Sequence, residues 1–246
     1  MTRILNVHLL PDLANPHELA GHTTVVVDVL RASTTITTAL AAGATAIVPC
    51  LEVAEARQLA SQRPGSLLGG ERGGRRIDGF DLGNSPADYS AERVEGKTIV
   101  FTTTNGTRAM ARCMGAHRVV IGSLVNREAV CESVSGDGRV DVLCAGTRGE
   151  ISLDDALGAG AIVQRLLVGS PDWQPNDVAT LCLDTWRSEI PDQRDSSQIV
   201  TALAKSQGGR NLIRLGMEDD LPRAAELDRQ PIVPELDRAN WHITST

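Results

Sequence analysis

Short β-branched runs recur along this chain, each followed by a stretch with helical spacing, and that alternation restricts the fold more than any other feature. The runs are Thr24-Val25-Val26-Val27, Ala46-Ile47-Val48, Thr98-Ile99-Val100-Phe101, Val119-Val120-Ile121, Val140-Asp141-Val142-Leu143 and Ala179-Thr180-Leu181-Cys182-Leu183. Runs of this length, bounded by small polar residues, read as buried strands. Helical patterns lie at residues 34–42, 53–62, 107–114, 127–133 and 152–168. Strand and helix in turn give an α/β fold with a largely parallel sheet. Aromatic residues make up only 2% of the chain, so Val, Leu, Ile, Ala and Thr must fill the core.

At 246 residues the chain suits one α/β domain over residues 1–246, made of two similar halves. A weak repeat supports the halves: at an offset of 72 residues Val25-Val26-Val27 falls on Lys97-Thr98-Ile99, and Ala42-Gly43-Ala44 on Met114-Gly115-Ala116. A third partial copy runs from Val140 to Gly160. Loops at the carboxyl ends of such strands can converge on one site. Residues 65–91 break the rhythm with seven glycines around embedded Ile77, Phe80 and Leu82, which reads as an ordered functional loop. Beyond Gln207 the polar, proline-containing chain reads as a wrap around the domain.

Charge and cysteine usage exclude several classes. With 24 basic against 31 acidic side chains and a net charge of −7, there is no basic stripe to track nucleic acid. Only Lys97 and Lys205 among the basic residues are lysines, a skew that fits codon bias better than a binding role. Five cysteines without a Cys-x-x-Cys pair disfavour a disulfide framework and a zinc site, and imply a reducing, cytoplasmic location. The 20-residue uncharged stretch from Ala32 to Leu51 holds five Thr, a Gly and a Pro, so it parses as helix, turn and strand, and no membrane segment or signal peptide is expected.

Polar loops at strand ends carry the chemistry. In the first, Asp28 can ligate a metal, while Ser33, Thr34 and free N–H groups at a helix start can hold an anion assisted by Arg31. Taken alone, a turn-forming Asp28 and a helix cap at Ser33 or Thr34 explain it as well. The second, Thr102-Thr103-Thr104-Asn105-Gly106-Thr107-Arg108, repeats the design. Gly96-Lys97-Thr98 is no phosphate-binding P-loop, because Ala91 replaces the required first glycine and a strand follows. The third runs from Cys144 to Asp155 with Arg148, Glu150, Asp154 and Asp155; acids in a first helical turn are favoured even without function, which leaves Glu150 unexplained. Cys144 and Arg148 are too close for a cysteine-phosphatase cradle, so Cys144 belongs to the core. The glycine-rich loop adds Glu71, Arg72, Asp81, Asn84 and Ser85. Hydroxyls and Arg for an oxyanion beside carboxylates for a hard cation suggest metal-assisted chemistry on a phosphorylated small molecule.

Val27–Thr35, Gly70-Glu71-Arg72, Gly79–Pro86, Thr103–Thr107 and Cys144–Asp155 together, in order across almost the whole chain, closely resemble the 2-phosphosulfolactate phosphatase (ComB) family. The resemblance implies a three-layer ComB-like α/β fold and a Mg²⁺-dependent phosphatase releasing phosphate from 2-phospho-3-sulfolactate, a step toward coenzyme M. One departure is Asp154, where the family pattern has Glu, which makes Asp155 the stronger of that pair.

Asp28, Glu71, Glu150 and Asp155 are therefore the candidates for metal ligation or acid/base work. Arg31, Ser33, Thr34, Arg72, Asn84, Ser85, Thr104, Asn105, Gly106, Thr107 and Arg148 are the candidates for holding the phosphorylated, sulfonated acid, with Arg72 expected to read the sulfonate. A metal-activated water is the simplest nucleophile. Attack by Asp28 is the alternative, although Leu30 stands where aspartyl phosphatases carry a second Asp. Another phosphorylated hydroxy acid as substrate, a non-catalytic sensor or carrier of such acids, and a homodimeric assembly are left open.

Overall fold

The computed structural model describes residues 2–193 and 195–245, so the expected domain bounds at 1 and 246 lie outside the described residues. Eleven strands form one sheet: β1 Arg3–His8, β2 Thr23–Val27, β3 Ala46–Cys50, β4 Leu67–Arg72, β5 Arg75–Arg76, β6 Thr98–Thr102, β7 Arg118–Gly122, β8 Arg139–Cys144, β9 Trp173–Pro175, β10 Pro234–Asp237 and β11 His242–Ser245. The helices are α1 Pro16–Leu19, α2 Ala32–Ala41, α3 Val53–Ser61, α4 Ala91–Val94, α5 Gly106–Arg112, α6 Arg127–Val134, α7 Leu153–Gly169, α8 Asp177–Glu189, α9 Ser196–Lys205, α10 Gln207–Leu215 and α11 Asp220–Ala224.

Strand order is β5-β4-β6-β3-β11-β10-β7-β2-β8-β1-β9. The run β7-β2-β8-β1-β9 is parallel throughout, as is β4-β6-β3. The β10-β11 hairpin joins these halves antiparallel, through single pairs Glu235↔Val120 and Ile243↔Ile47. The unit β2-α2-β3 crosses from one half to the other, and β6-α5-β7 crosses back. Residues 25–44 and 97–116, the segments related by the 72-residue offset, fall in these two units, with Lys97 just ahead of β6.

Successive side chains of a strand face opposite sides of a sheet. Accordingly Val26, Val119, Ile121, Ile47, Ile99 and Phe101 pack with Ile36, Leu40 and Met110 of α2 and α5 on one face. Val25, Val27, Val120 and Val142 face the other side, against Leu157 and Ile162 of α7, Leu183 and Trp186 of α8 and Leu203 of α9. Val48 and Val100 continue that side, meeting Ala56 of α3. The result is the expected three layers of helix, sheet and helix.

Three local expectations change. Residues 179–183 are not a strand but part of α8: Ala179, Cys182, Leu183 and Trp186 are buried at helical spacing, Leu181 between them is exposed, and Asn176 caps the helix by accepting from Ala179 N at 2.8 Å. Residues 65–91 are not all loop, because Leu67–Gly70 pairs with Ile99–Thr102. At Gly70 an added Cβ would lie 2.0 Å from the Thr102 carbonyl oxygen, so close strand approach rather than flexibility requires glycine there. The polar C-terminal stretch is not a plain wrap either, since α10, α11 and the β10-β11 hairpin are built from it.

Candidate active site

Both halves of the sheet deliver strand ends to one pocket of about 160 Å³ open to water. Asp28, Leu30 and Arg31 follow β2; Glu71, Gly73 and Gly74 come from the end of β4 and its turn; Thr103, Thr104 and Asn105 follow β6; Thr147 and Arg148 follow β8. Asn84 forms part of the lining, and Gly208, Asn211, Leu212 and Leu215 of α10 close it. Crevices at the carboxyl ends of strands are where α/β sheets bind ligands.

Asp28 is buried at the exit of β2. Its Oδ1 accepts from Ala32 N at 3.1 Å, and its own N–H donates to Ser33 Oγ at 2.9 Å, fixing the loop against the start of α2. Among the described residues no group donates to Oδ2. An added Cβ at Gly106 would stand 2.9 Å from that oxygen and 2.7 Å from Ala32 Cβ, so glycine is what admits α5 this close. Burial, with the charges of Asp154 and Glu71 adding to it, pushes the Asp28 carboxyl up to about 7; the Ala32 N–H and Arg31 act against the rise.

Glu71 is held at both oxygens. Oε1 accepts from the N–H and the hydroxyl of Thr104, each at 2.8 Å, and Oε2 accepts from Gly74 N at 2.6 Å. Asn84 hydrogen-bonds through its main chain, its carbonyl accepting from Thr35 Oγ1 at 2.8 Å, whereas its buried side-chain Oδ1 has no partner among the described residues. A buried acceptor left unpaired on a pocket wall is costly unless a ligand or water serves it.

Behind this surface, Asp155 accepts from Val29 N at 2.9 Å and from Gly146 N at 2.8 Å, tying the loop after β2 to the loop after β8. Burial, with Asp154 and Asp28 nearby, raises its carboxyl well above the usual range. Asp154, also raised by burial, accepts from the Ser152 hydroxyl and packs under Gly208. Glu150 is exposed and lies outside the pocket lining, its backbone paired with Thr147.

The three arginines part company. Arg31 is buried, its Nη1 donating to Asp220 Oδ2 at 2.7 Å and its Nη2 to the Gly74 carbonyl at 2.8 Å. Arg72 donates to the carbonyls of Glu71 and Leu51 and to Thr102 Oγ1, at 2.7, 3.0 and 2.9 Å, and does not line the pocket. Arg148 lines it with no carboxylate partner among the described residues, in a left-handed backbone conformation at φ 56° and with its N–H on Asn105 Oδ1.

The hydroxyls divide in the same way. Ser33 and Thr34 donate to the carbonyls of Val26 and Val29, and Thr107 donates to that of Thr103, so all three are spent inside the loops. Neither Ser33 nor Thr34 caps α2, which begins at Ala32. Ser85 donates to Asp220 Oδ1 at 2.5 Å. The sequence reading missed Asp220, Thr147 and the α10 wall. Its one signal was Ser206 before Gly208-Gly209 with Leu212 and Leu215 at helical spacing, and Ser206 does cap α10.

No helix among the described residues is long and apolar enough to cross a membrane. The family model described as 2-phosphosulpholactate phosphatase matches residues 8–239. A probable 2-phosphosulfolactate phosphatase of Symbiobacterium thermophilum is 44% identical over 220 residues, 88% of this chain and 92% of that protein. One of Caldanaerobacter subterraneus subsp. tengcongensis is 39% identical, covering 90% of each. With a match over most of its length and relatives at this identity, the chain belongs to the 2-phosphosulfolactate phosphatase family.

Proposed function

We propose that this chain hydrolyses the phosphate monoester of 2-phospho-3-sulfolactate, giving sulfolactate and phosphate, with Mg²⁺ as cofactor. Family membership supports the substrate. The observation that carries the chemistry is Asp28: a buried carboxylate on the pocket lining, with raised proton affinity and with no donor to its Oδ2 among the described residues. The residues present fit a hard cation. Among the described residues no three His, Cys, Asp or Glu side chains gather as ligands. Mg²⁺, however, is commonly held by one or two carboxylates, with water and substrate phosphate completing the shell. Asp28 and Glu71 on the pocket lining would supply those carboxylate oxygens. Mg²⁺ bound there would offset charge on the transferring phosphoryl group.

The protein groups divide the remaining work. Glu71 is held by Thr104 and Gly74 and keeps the loops after β4 and β6 in register at the pocket. Asp28 would take a proton from attacking water or attack phosphorus itself. The substrate also carries a sulfonate and a carboxylate on a protein of net charge −7, so a local cation must read the non-reacting anion. Arg148, the pocket arginine without a carboxylate partner among the described residues, takes the role expected of Arg72. All five cysteines are buried and unpaired, which suits a reducing cytoplasm, where the sulfolactate would feed coenzyme M type synthesis.

The test is phosphate release from 2-phosphosulfolactate and from a panel of phospho-hydroxy acids, with Mg²⁺ and with chelator. Turnover of the sulfonated substrate that chelator abolishes and Mg²⁺ restores is expected. Binding without turnover would replace this reading with a sensor or carrier, and turnover unaffected by chelator would remove the metal.

A further inference from the structure

The pocket is completed from the far end of the chain. Asp220, the first residue of α11, is 3% exposed, and its two carboxylate oxygens serve two separate segments of the site: Oδ2 accepts from Arg31 Nη1 at 2.7 Å and Oδ1 from Ser85 Oγ at 2.5 Å. Arg31 passes the constraint on. Its Nη2 donates to the Gly74 carbonyl at 2.8 Å, and the Gly74 N–H donates to Glu71 Oε2 at 2.6 Å. Glu71 Oε1 then holds Thr104. An unbroken line of hydrogen bonds thus runs from α11 through Arg31, Gly74 and Glu71 to Thr104 in the loop after β6. Gly74 is its hinge point. It sits at φ +83°, and an added Cβ would meet Leu215 Cδ1 at 2.6 Å, so α10 lies close against the same turn that Arg31 holds and glycine is required there.

We infer that Asp220 is a positioning residue for the phosphatase site, holding Arg31 as a strut that sets the turn at Gly73-Gly74 and, through it, the carboxylate of Glu71. Nothing in its own neighbourhood marks Asp220 as catalytic: it does not line the pocket, and both oxygens are occupied by protein donors. Its charge is balanced by Arg31 in a buried pair, so removing one partner leaves the other uncompensated and free to change its contacts. Misplacing a catalytic turn by about 1 Å costs on the order of 10²-fold in rate.

The kinetic arm rests on the proposed phosphatase activity; the exchange arm does not. The full-length protein is compared with Asp220→Asn, Asp220→Ala, Arg31→Ala and the Arg31→Ala/Asp220→Ala double variant. Hydrogen exchange is followed in the segments holding Gly74 and Ser85, and phosphate release and melting temperature are measured alongside. Faster exchange at residues 71–74 is expected in Asp220→Asn and in Arg31→Ala alike. A fall of about 10²-fold in kcat/KM, carried mainly by kcat, should accompany it. The double variant should fall no more than about threefold below the worse single variant, because both changes cut one line and only the Ser85 contact of Asp220 lies outside it. A folded Asp220→Asn with native exchange at residues 71–74 overturns the inference, as do losses that simply multiply in the double variant. Should Asp220→Ala fail to fold, Asp220→Asn carries the comparison; if neither folds, Asp220 holds the fold and the positioning role is wrong. Wild-type protein without turnover would sink the proposed function while leaving the exchange result to decide the strut.

Discussion

The ends of β2 and β8 are neighbours in the sheet, with Val27 opposite Cys144, and each leads through a polar loop into a helix that begins near an aspartate. Both Asp28 and Asp155 are buried, and burial raises the proton affinity of both. They differ in how their oxygens are used. Asp28, on the pocket lining, gives one oxygen to its own helix and keeps the other without a donor among the described residues. Asp155 gives one oxygen to each of the two loops, at Val29 and Gly146. Neither burial nor a shifted titration therefore separates the chemical acid from the structural one. The count of backbone N–H groups each must satisfy does.

The largest expected effect tests the Asp28 side. Asp28→Asn should keep the fold and lower kcat by about 10²–10⁴-fold, the range for losing a positioned acid/base group. Phosphate release with circular dichroism checks both halves of that statement, and a folded variant with near-native turnover breaks the comparison. The same substitution has a pH signature in metal-free protein. A carboxyl raised from 3.8 to about 7 on folding contributes stability that is fully present below pH 3.8 and is lost as pH rises through 7. Asp28→Asn should accordingly melt higher than wild type at pH 8, with the advantage shrinking toward pH 4. A melting series from pH 4 to 8 reads the sign directly.

On the Asp155 side the loss should be of stability. Asp155→Ala leaves the Val29 and Gly146 N–H groups unpaired in the interior, each worth about 1–3 kcal/mol, so denaturation should show a fall of about 2–6 kcal/mol. Activity per folded molecule should stay well above that of Asp28→Asn. A variant with native stability and no turnover would make Asp155 a second chemical acid. The loop after β8 does reach the pocket, through Arg148. Arg148→Asn removes the charge while tolerating the left-handed backbone, and should raise KM for 2-phosphosulfolactate about 10–100-fold, the equivalent of a charge-assisted bond of roughly 1.5–3 kcal/mol. An aryl phosphate, which lacks the sulfonate, should hardly notice. Arg72→Ala should affect the two substrates equally, and a selective loss there would return the sulfonate to Arg72.

The strand ends were legible in the sequence because hydrophobic runs and polar loops are local patterns: Asp28, Glu71, Asn84, Thr104, Asn105 and Arg148 all emerge from them and all line the pocket. What each side chain does there was not legible. Ser33, Thr34 and Thr107 look like anion ligands until their hydroxyls are seen on carbonyls within their own loops, and Arg72 looks free until the Leu51 carbonyl is found beside it. Contacts set by distant segments leave no local trace. Asp220 is 189 residues from Arg31, and α10 reaches the pocket from a stretch whose polarity hides two inward leucines. The misread strand at residues 179–183 has the same origin, since five residues of apolar character fit either period and only Trp186 and the Asn176 cap resolve it.

The smallest effect concerns Cys144, the last residue of β8 and the position in register with Val27. Were the loop after β8 the chemical one, this thiol beside Arg148 would be the natural nucleophile. The structure places it with no exposed surface, its Sγ 3.6 Å from the Asp155 carbonyl, and burial raises its thiol well above the ordinary value with Asp155 adding to the rise. A thiol that resists ionisation and touches no pocket space cannot reach phosphorus as a thiolate. Cys144→Ser exchanges one small side chain for another and keeps a donor for the Asp155 carbonyl, so it should cost a packing contact of about 1.4 kcal/mol or less. Turnover should stay within about tenfold of wild type, since each 1.36 kcal/mol corresponds to tenfold in rate. Loss of a true nucleophile removes orders of magnitude more. A stable, folded Cys144→Ser at background activity would therefore move the chemistry from the end of β2 to the end of β8.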